Sequence, residues 1–105
     1  MSDAINILQQ CTGFEWDKGN SLKNWLKHHV SEGETEEVFF NEPLVILEDE
    51  KHSSHESRFW ALGHTDQGRL LLIVFTVRKN LVRVISARTM NKKEKENYEN
   101  FKTNS

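Results

Sequence analysis

The chain has 105 residues and a formal net charge of −2, a length that suits one compact domain able to fold without a disulfide or metal staple. The balance hides an asymmetry: residues 1–50 hold 3 basic and 11 acidic side chains, residues 51–105 hold 11 and 5, and every arginine lies in the second half. Such a field suits a polyanionic ligand, although two halves that neutralise each other inside one fold show the same pattern.

Residues 1–13 are weakly patterned and are expected to form a loose arm or short cap ahead of a single domain over residues 14–105. Phe14-Glu15-Trp16 alternates as a short strand that stops at Asp17 and Gly19. Over residues 21–29, Leu22, Trp25 and Leu26 recur at helical spacing. Asn20 or Ser21 is the expected N-cap, the three apolar residues the buried stripe, and Lys23 and Lys27 the polar face. Ser31-x-x-Glu34 reads as a capping box opening a second helix, with Val38 and Phe39 directed inward and Asn41, Glu42 and Pro43 ending it. Residues 44–47 form a strand that runs into an acidic turn, and residues 51–57 a polar loop. Residues 58–63 alternate, with Phe59 and Ala61 on one face and Arg58, Trp60 and Leu62 on the other. Asp66-Gln67-Gly68 is a turn signal. Residues 70–77 are apolar at nearly every position and so form the central strand, covered on both faces. Arg78-Lys79-Asn80 turns the chain into a strand over residues 81–87, and Asn91-x-x-Glu94 caps a last helix docked by Tyr98 and Phe101.

This order, β-α-α-β-β-β-α with three or four antiparallel strands after the helices, gives an α+β class. It predicts an antiparallel β-sheet with helices packed on one face, the other face free, and arginines pointing from that face or lining its rim. Strand parity places Arg58 with Trp60 and separates Arg83 from Arg88, so all five arginines share one patch only where twist or strand ends bring them together.

No phosphate-binding loop, dinucleotide fingerprint or strained serine turn is present, and Cys11 sits in the weakly patterned arm, so a nucleotide cofactor or a nucleophilic enzyme is not indicated. His52-x-x-His55-Glu56 lacks a third strong ligand and does not match a helical zinc motif, so no cofactor or metal is expected; its histidines suit a solvated, catalytic or RNA-contacting loop. Lys27-His28 at a helix C-terminus presents a charge-bearing pair favoured by the dipole, or simply caps that end. The arginines are the sharper signal. Arg58, Arg69, Arg78, Arg83 and Arg88 stand among Phe59, Trp60 and Phe75, and single-stranded nucleic acid needs phosphates neutralised and bases stacked. Phe75, on the central strand, is expected to be core. A single cysteine, an acidic N-terminal stretch and no apolar run near ~20 residues make a cytoplasmic protein with no membrane contact the expectation.

Several stretches together resemble the BrnT family of bacterial toxins: Phe14-Glu15-Trp16-Asp17, Asn24, Lys27-His28, Val38-Phe39-Phe40-Asn41-Glu42-Pro43, His52-Ser53, Glu56-x-Arg58-Phe59, Leu62-Gly63, Gly68-Arg69-Leu70, Val74-Phe75-Thr76, Arg83-Val84-Ile85-Ser86-Ala87-Arg88 and Met90-Asn91-x-Lys93-Glu94 with Tyr98. The resemblance implies a type II toxin–antitoxin system and a fold similar to RelE-like ribonucleases. It also implies a toxin that cleaves RNA and arrests translation, and a BrnA-like ribbon-helix-helix antitoxin that binds the operon DNA, so that DNA is met only through the antitoxin. Two departures stand out: His29 occupies a position where the family usually has glycine, and the residues before Phe14 fall outside the usual pattern.

The expected chemistry is metal-independent cleavage by general acid and base, with arginines stabilising charge on the phosphoryl oxygens. Lys27, His28, His52, His55, Glu56, Arg58 and Arg83 are the catalytic candidates, without a choice of acid and base among them. Arg69, Arg88 and Trp60 are the candidates for RNA binding. The alternative is a binding module with little or no nuclease activity, whose arginine face grips an acidic antitoxin and which acts in operon regulation. The chain as a structural domain, its charges only solvating it, is the third reading.

Overall fold

The computed structural model of the chain describes residues 8–49, 51 and 56–104. Strand β1 (Gly13–Glu15) leads into helices α1 (Lys18–His28) and α2 (Glu32–Phe40). Strands β2 (Val45–Glu48), β3 (Arg58–His64), β4 (Leu70–Arg78) and β5 (Leu81–Thr89) follow, and helix α3 (Lys92–Asn104) closes the order. The strands form one sheet ordered β1-β5-β4-β3-β2. β2 to β5 are antiparallel, as expected from the two turns between them. β1 is the short strand expected at Phe14-Glu15-Trp16, shifted by one residue; it pairs parallel to β5, which makes the sheet mixed, and four strands follow the helices where the β-α-α-β-β-β-α order has three.

Local signals set most boundaries. Lys79 and Asn80 adopt φ of 52° and 63°, the paired left-handed residues of a two-residue hairpin whose twist matches the flanking strands. Ser31 and Glu34 exchange the two hydrogen bonds of a capping box at α2. Asn91 Oδ1 accepts from Glu94 N at 2.8 Å while Glu94 Oε1 accepts from Asn91 N at 2.8 Å, which starts α3. α1 begins earlier than its apolar spacing suggests, because Asp17 caps it by accepting from the amides of Gly19 and Asn20.

Two cores lie on opposite faces of the sheet. On the first, α1 and α2 cover Phe59, Ala61, Leu71, Ile73, Phe75, Val82, Val84 and Ala87, all buried. Phe75 stacks with Phe39 at 5.2 Å and Phe59 at 5.5 Å between ring centroids, pairs worth about 0.5–1.5 kcal/mol each beyond area burial. Gly63 is required here, since a Cβ would stand 2.8 Å from Val38 Cγ1 of α2. On the second face α3 covers Leu62, Leu72 and Met90 with a buried Tyr98. The α+β class therefore stands, but α3 packs opposite α1 and α2. The reason lies in the strands: Leu62 and Leu72 make that end of the second face apolar, and it needs a cover. Tyr98 docks as expected, its hydroxyl donating to Pro43 O at 2.6 Å, whereas Phe101 remains 44% exposed. His64 Nδ1 lies 3.0 Å from the Tyr98 hydroxyl.

The largest correction concerns α1. Leu22, Trp25 and Leu26, expected as its buried stripe, are 58%, 49% and 67% exposed, while Asn24 is the helix residue that is buried. Asn24 Oδ1 accepts from Ala87 N at 3.3 Å, so a polar side chain, not the apolar stripe, joins this helix to β5.

Candidate active site

The part of the second face that α3 leaves open carries charge. Arg58 of β3, Thr76 of β4 and Arg83 of β5 are consecutive register partners, so their side chains stand abreast across three strands. Thr76 is buried between the two arginines, its hydroxyl donating to Ser57 O at 2.6 Å. Arg78 extends the group, with Nε and Nη2 donating to Glu56 at 2.9 and 3.1 Å. The Arg78 hydrogen bond holds Glu56 below the usual carboxylate pKa; burial opposes it, and the charges of Arg78, Arg83 and Arg58 add to the lowering. Arg83 donates from Nη1 to Glu15 and from Nη2 to Asp17, both at 3.3 Å. Glu15 itself stands beside Arg83 across the β1–β5 pair. Three arginines, Arg58, Arg78 and Arg83, thus meet three carboxylates, Glu15, Asp17 and Glu56, over one area, and the Arg78–Glu56 and Arg83 pairs are solvated enough to open at modest cost.

The parity argument fails at one point. Val74 pairs with Ser86 and Phe75 with Val84, so Ile85 is an extra residue in β5 and forms a β-bulge. The bulge resets the alternation: Arg83 opposite Thr76 and Arg88 opposite Leu72 project to the same face. Sequence periodicity alone does not contain this information, because a bulge is set by pairing with the neighbouring strand.

Arg88 forms a bidentate pair with Glu94 at 2.9 Å for both bonds, tying β5 to the first turn of α3. The Arg88 hydrogen bond first, then the Asn91 amide, lowers the Glu94 pKa against burial. His28 lies beside this pair at the end of α1. Burial first, then the charges of Lys27, Arg88 and Lys23, lowers its pKa, so its neutral form is favoured. The expected dipole-stabilised cation is therefore outweighed by burial first and by neighbouring cations second. Arg69 stands on the opposite face. Nη1 donates to His29 O at 2.7 Å and to both Glu34 oxygens at 3.1 and 3.2 Å, and Nη2 to His28 O at 3.1 Å. It clamps the turn between α1 and α2, where His29 takes a left-handed φ of 55°.

Of the candidates read from sequence, Glu56, Arg58 and Arg83 come together, with Arg78 beside them. Lys27 and His28 lie apart from these at the end of α1, where His28 feels the charge of Arg88 from β5. Trp60 lies between the open area and the α3 core, its indole donating to Asp49 at 3.2 Å. Arg69 joins neither group. His52 and His55 lie outside the described residues. Glu15, Asp17, Thr76 and Glu94 were not named as site residues from sequence, since a surface carboxylate, a cap glutamate or a strand threonine shows no partner on its own; the acidic bias of the first half was the one hint that it would meet the arginines.

Residues 16–94 match the family described as the ribonuclease toxin, BrnT, of type II toxin–antitoxin systems. The chain belongs to the BrnT family of ribonuclease toxins. It is therefore a toxin endoribonuclease, with RNA as its substrate and an antitoxin as its partner. The crystal structure of the Brucella abortus ribonuclease toxin, BrnT, determined at 1.1 Å, is similar in fold, with a TM-score of 0.60 and 18% identity over 77% of this chain and 99% of that one. Among curated proteins none matches. No helix of the described residues is long and apolar enough to cross a membrane.

Proposed function

We propose that this BrnT-family toxin cleaves RNA without a metal ion on the open sheet face, with Glu56 as general base and Arg58 and Arg83 holding the scissile phosphate. The observation that carries the reading is the row Arg58–Thr76–Arg83 with Glu56 at its end. A carboxylate kept ionised beside two guanidiniums is placed to take the ribose 2′-hydroxyl proton, while the guanidiniums stabilise the charge that grows on the phosphoryl oxygens. Attack by the 2′-oxygen on phosphorus expels the 5′-oxygen, which needs a proton. His55, directly before Glu56 in sequence, and His52 are the donors this reading favours. Lys27, His28 and Arg88 then contact a neighbouring stretch of the strand, with Arg83 and Arg88 four register positions apart, about 13 Å at ~3.3 Å per residue. Trp60 offers a stacking surface at the margin. Arg69 positions the Lys27–His28 end through its clamp and does not contact phosphate. Translation arrest follows from RNA loss, and a BrnA-like ribbon-helix-helix antitoxin neutralises the toxin.

The test is cleavage of single-stranded RNA by purified protein in excess EDTA. Wild type is expected to cleave and to leave 2′,3′-cyclic or 3′-phosphate ends, with Arg58→Ala and Arg83→Ala slowed. Loss of cleavage in EDTA sinks the metal-free step, and unchanged rates in both arginine variants move the phosphate site elsewhere. Binding to RNA under increasing salt gives an independent measure: three phosphate contacts predict a log–log slope of roughly −2, at about −0.7 per contact.

A further inference from the structure

An amphipathic helix normally turns its apolar stripe to the core, but α1 does the reverse. Leu22, Trp25 and Leu26, at i, i+3 and i+4, form one contiguous strip pointing away from the sheet, with Asn24 on the buried side. Among the described residues Trp25 meets one ring, that of His29, at 5.4 Å edge to face. Three large apolar side chains about half or more exposed on one helix mark a surface that works covered.

Charge selects the occupant. α1 carries Lys18, Lys23, Lys27 and His28 and no acidic residue. A second copy docked through the same strip would set these lysines against their own equivalents across a two-fold axis, which repels. An apolar segment with acidic flanks meets both features. We infer that the exposed Leu22–Trp25–Leu26 strip of α1 is the docking surface for an acidic amphipathic helix of the antitoxin. The inference rests on the toxin–antitoxin reading above and assigns its partner a place. The location also accounts for neutralisation. Lys27 and His28, which the reading above assigns to RNA contact, end the same helix, and His28 feels the charge of Arg88, so a helix seated along α1 covers that edge of the proposed RNA surface.

The experiment measures binding of the separately purified cognate antitoxin to the full chain by calorimetry. It compares wild type with Trp25→Ala, Leu26→Ala and Leu26→Asp, with RNA cleavage by each free variant in parallel. These side chains hold nothing in the core, so the variants are expected to melt as wild type does. The expected result is antitoxin affinity weakened by about 30-fold or more in Trp25→Ala, the size typical of a truncated central aromatic, with free-chain cleavage unchanged. Tight wild-type binding with variants within about twofold overturns this inference and leaves the toxin reading intact. No binding by wild type overturns the antitoxin pairing and the inference with it. Sedimentation showing a dimer that Leu26→Asp dissolves assigns the strip to a second copy, and slowed RNA cleavage by the free variants assigns it to RNA; either result overturns the inference.

Discussion

Arg69, just before β4, and Arg83, in β5, are the same residue type on opposite faces of one sheet, and their surroundings give them different work. Arg69, on the helix-covered face, spends its donors on the carbonyl oxygens of His28 and His29 and on Glu34, all parts of one turn that must be held. Arg83, on the open face, meets two carboxylates at 3.3 Å among the described residues, from Glu15 and Asp17, and shares its row with Arg58. Carbonyl oxygens at the end of a helix have no other partner, whereas surface carboxylates are readily solvated. An incoming phosphate therefore competes for Arg83 on far better terms than for Arg69. Guanidinium count says little about an RNA surface; the quality of the partners already engaged says more.

The sharpest way to break this contrast is at the proposed base, Glu56. Glu56→Gln keeps the shape and removes the proton acceptor, and is expected to lower kcat by about 10²–10³-fold with folding unchanged, measured by single-turnover cleavage. A variant within a few fold of wild type would remove Glu56 from the chemistry. Next in size is Gly63→Ala, which forces a Cβ to 2.8 Å from Val38 Cγ1 and is expected to destabilise by about 1–3 kcal/mol in denaturant unfolding, with cleavage per folded molecule retained. Arg69→Ala should cost about 1–2 kcal/mol, the low end for charged hydrogen bonds because the group is partly exposed, and should leave the salt slope of RNA binding unchanged. Arg83→Ala should do the opposite, lowering that slope by about 0.7 with little change in stability.

Acid offers a further test. Burial raises the Glu34 carboxyl, but hydrogen bonds from Ser31 and Arg69 outweigh it, so its pKa lies below the ordinary value of 4.5, as does that of Glu94. A depressed carboxylate pKa stabilises above the unfolded value and loses that contribution as pH falls through the folded one. Melting temperature should therefore fall below about pH 4.5, and Glu34→Gln should flatten part of that fall. The smallest expected effect is His29→Gly, which relieves a left-handed residue and should stabilise by a few tenths of a kcal/mol up to ~1, offset by loss of the Trp25 ring contact.

Much of the fold was legible because its signals are local. Alternation sorted Phe59 and Ala61 from Arg58, Trp60 and Leu62, the Ser31–Glu34 capping box opened α2, and the turn at Lys79-Asn80 closed the β4–β5 hairpin. Three features depended on tertiary pairing and were not legible. Helical spacing found the strip Leu22–Trp25–Leu26 but contains nothing about which side of α1 the sheet lies on. Parity separated Arg83 from Arg88 because the bulge at Ile85 exists only in the β4–β5 register. The parallel union of β1 with β5 joins residues 68 positions apart at Glu15 and Arg83, beyond any window of periodicity. At the site, the arginines and Glu56 were named from sequence, while the carboxylates that engage the arginines emerged only from the folded chain.

The link from Asn24 to Ala87 reaches further than α1 itself. A sheet margin with open amides invites another chain to add a strand. Here β5 is lined first by β1 and then, where β1 ends, by a helix whose asparagine takes the place of a strand carbonyl. That margin is closed to strand addition at the same place where the apolar strip is presented. At the opposite margin stands β2, four residues long and entered from Pro43. A partner approaching along α1 is thus barred from extending the sheet there and must bind through side chains, which makes recognition depend on the pattern of its apolar and acidic residues and not on backbone pairing that any extended peptide supplies.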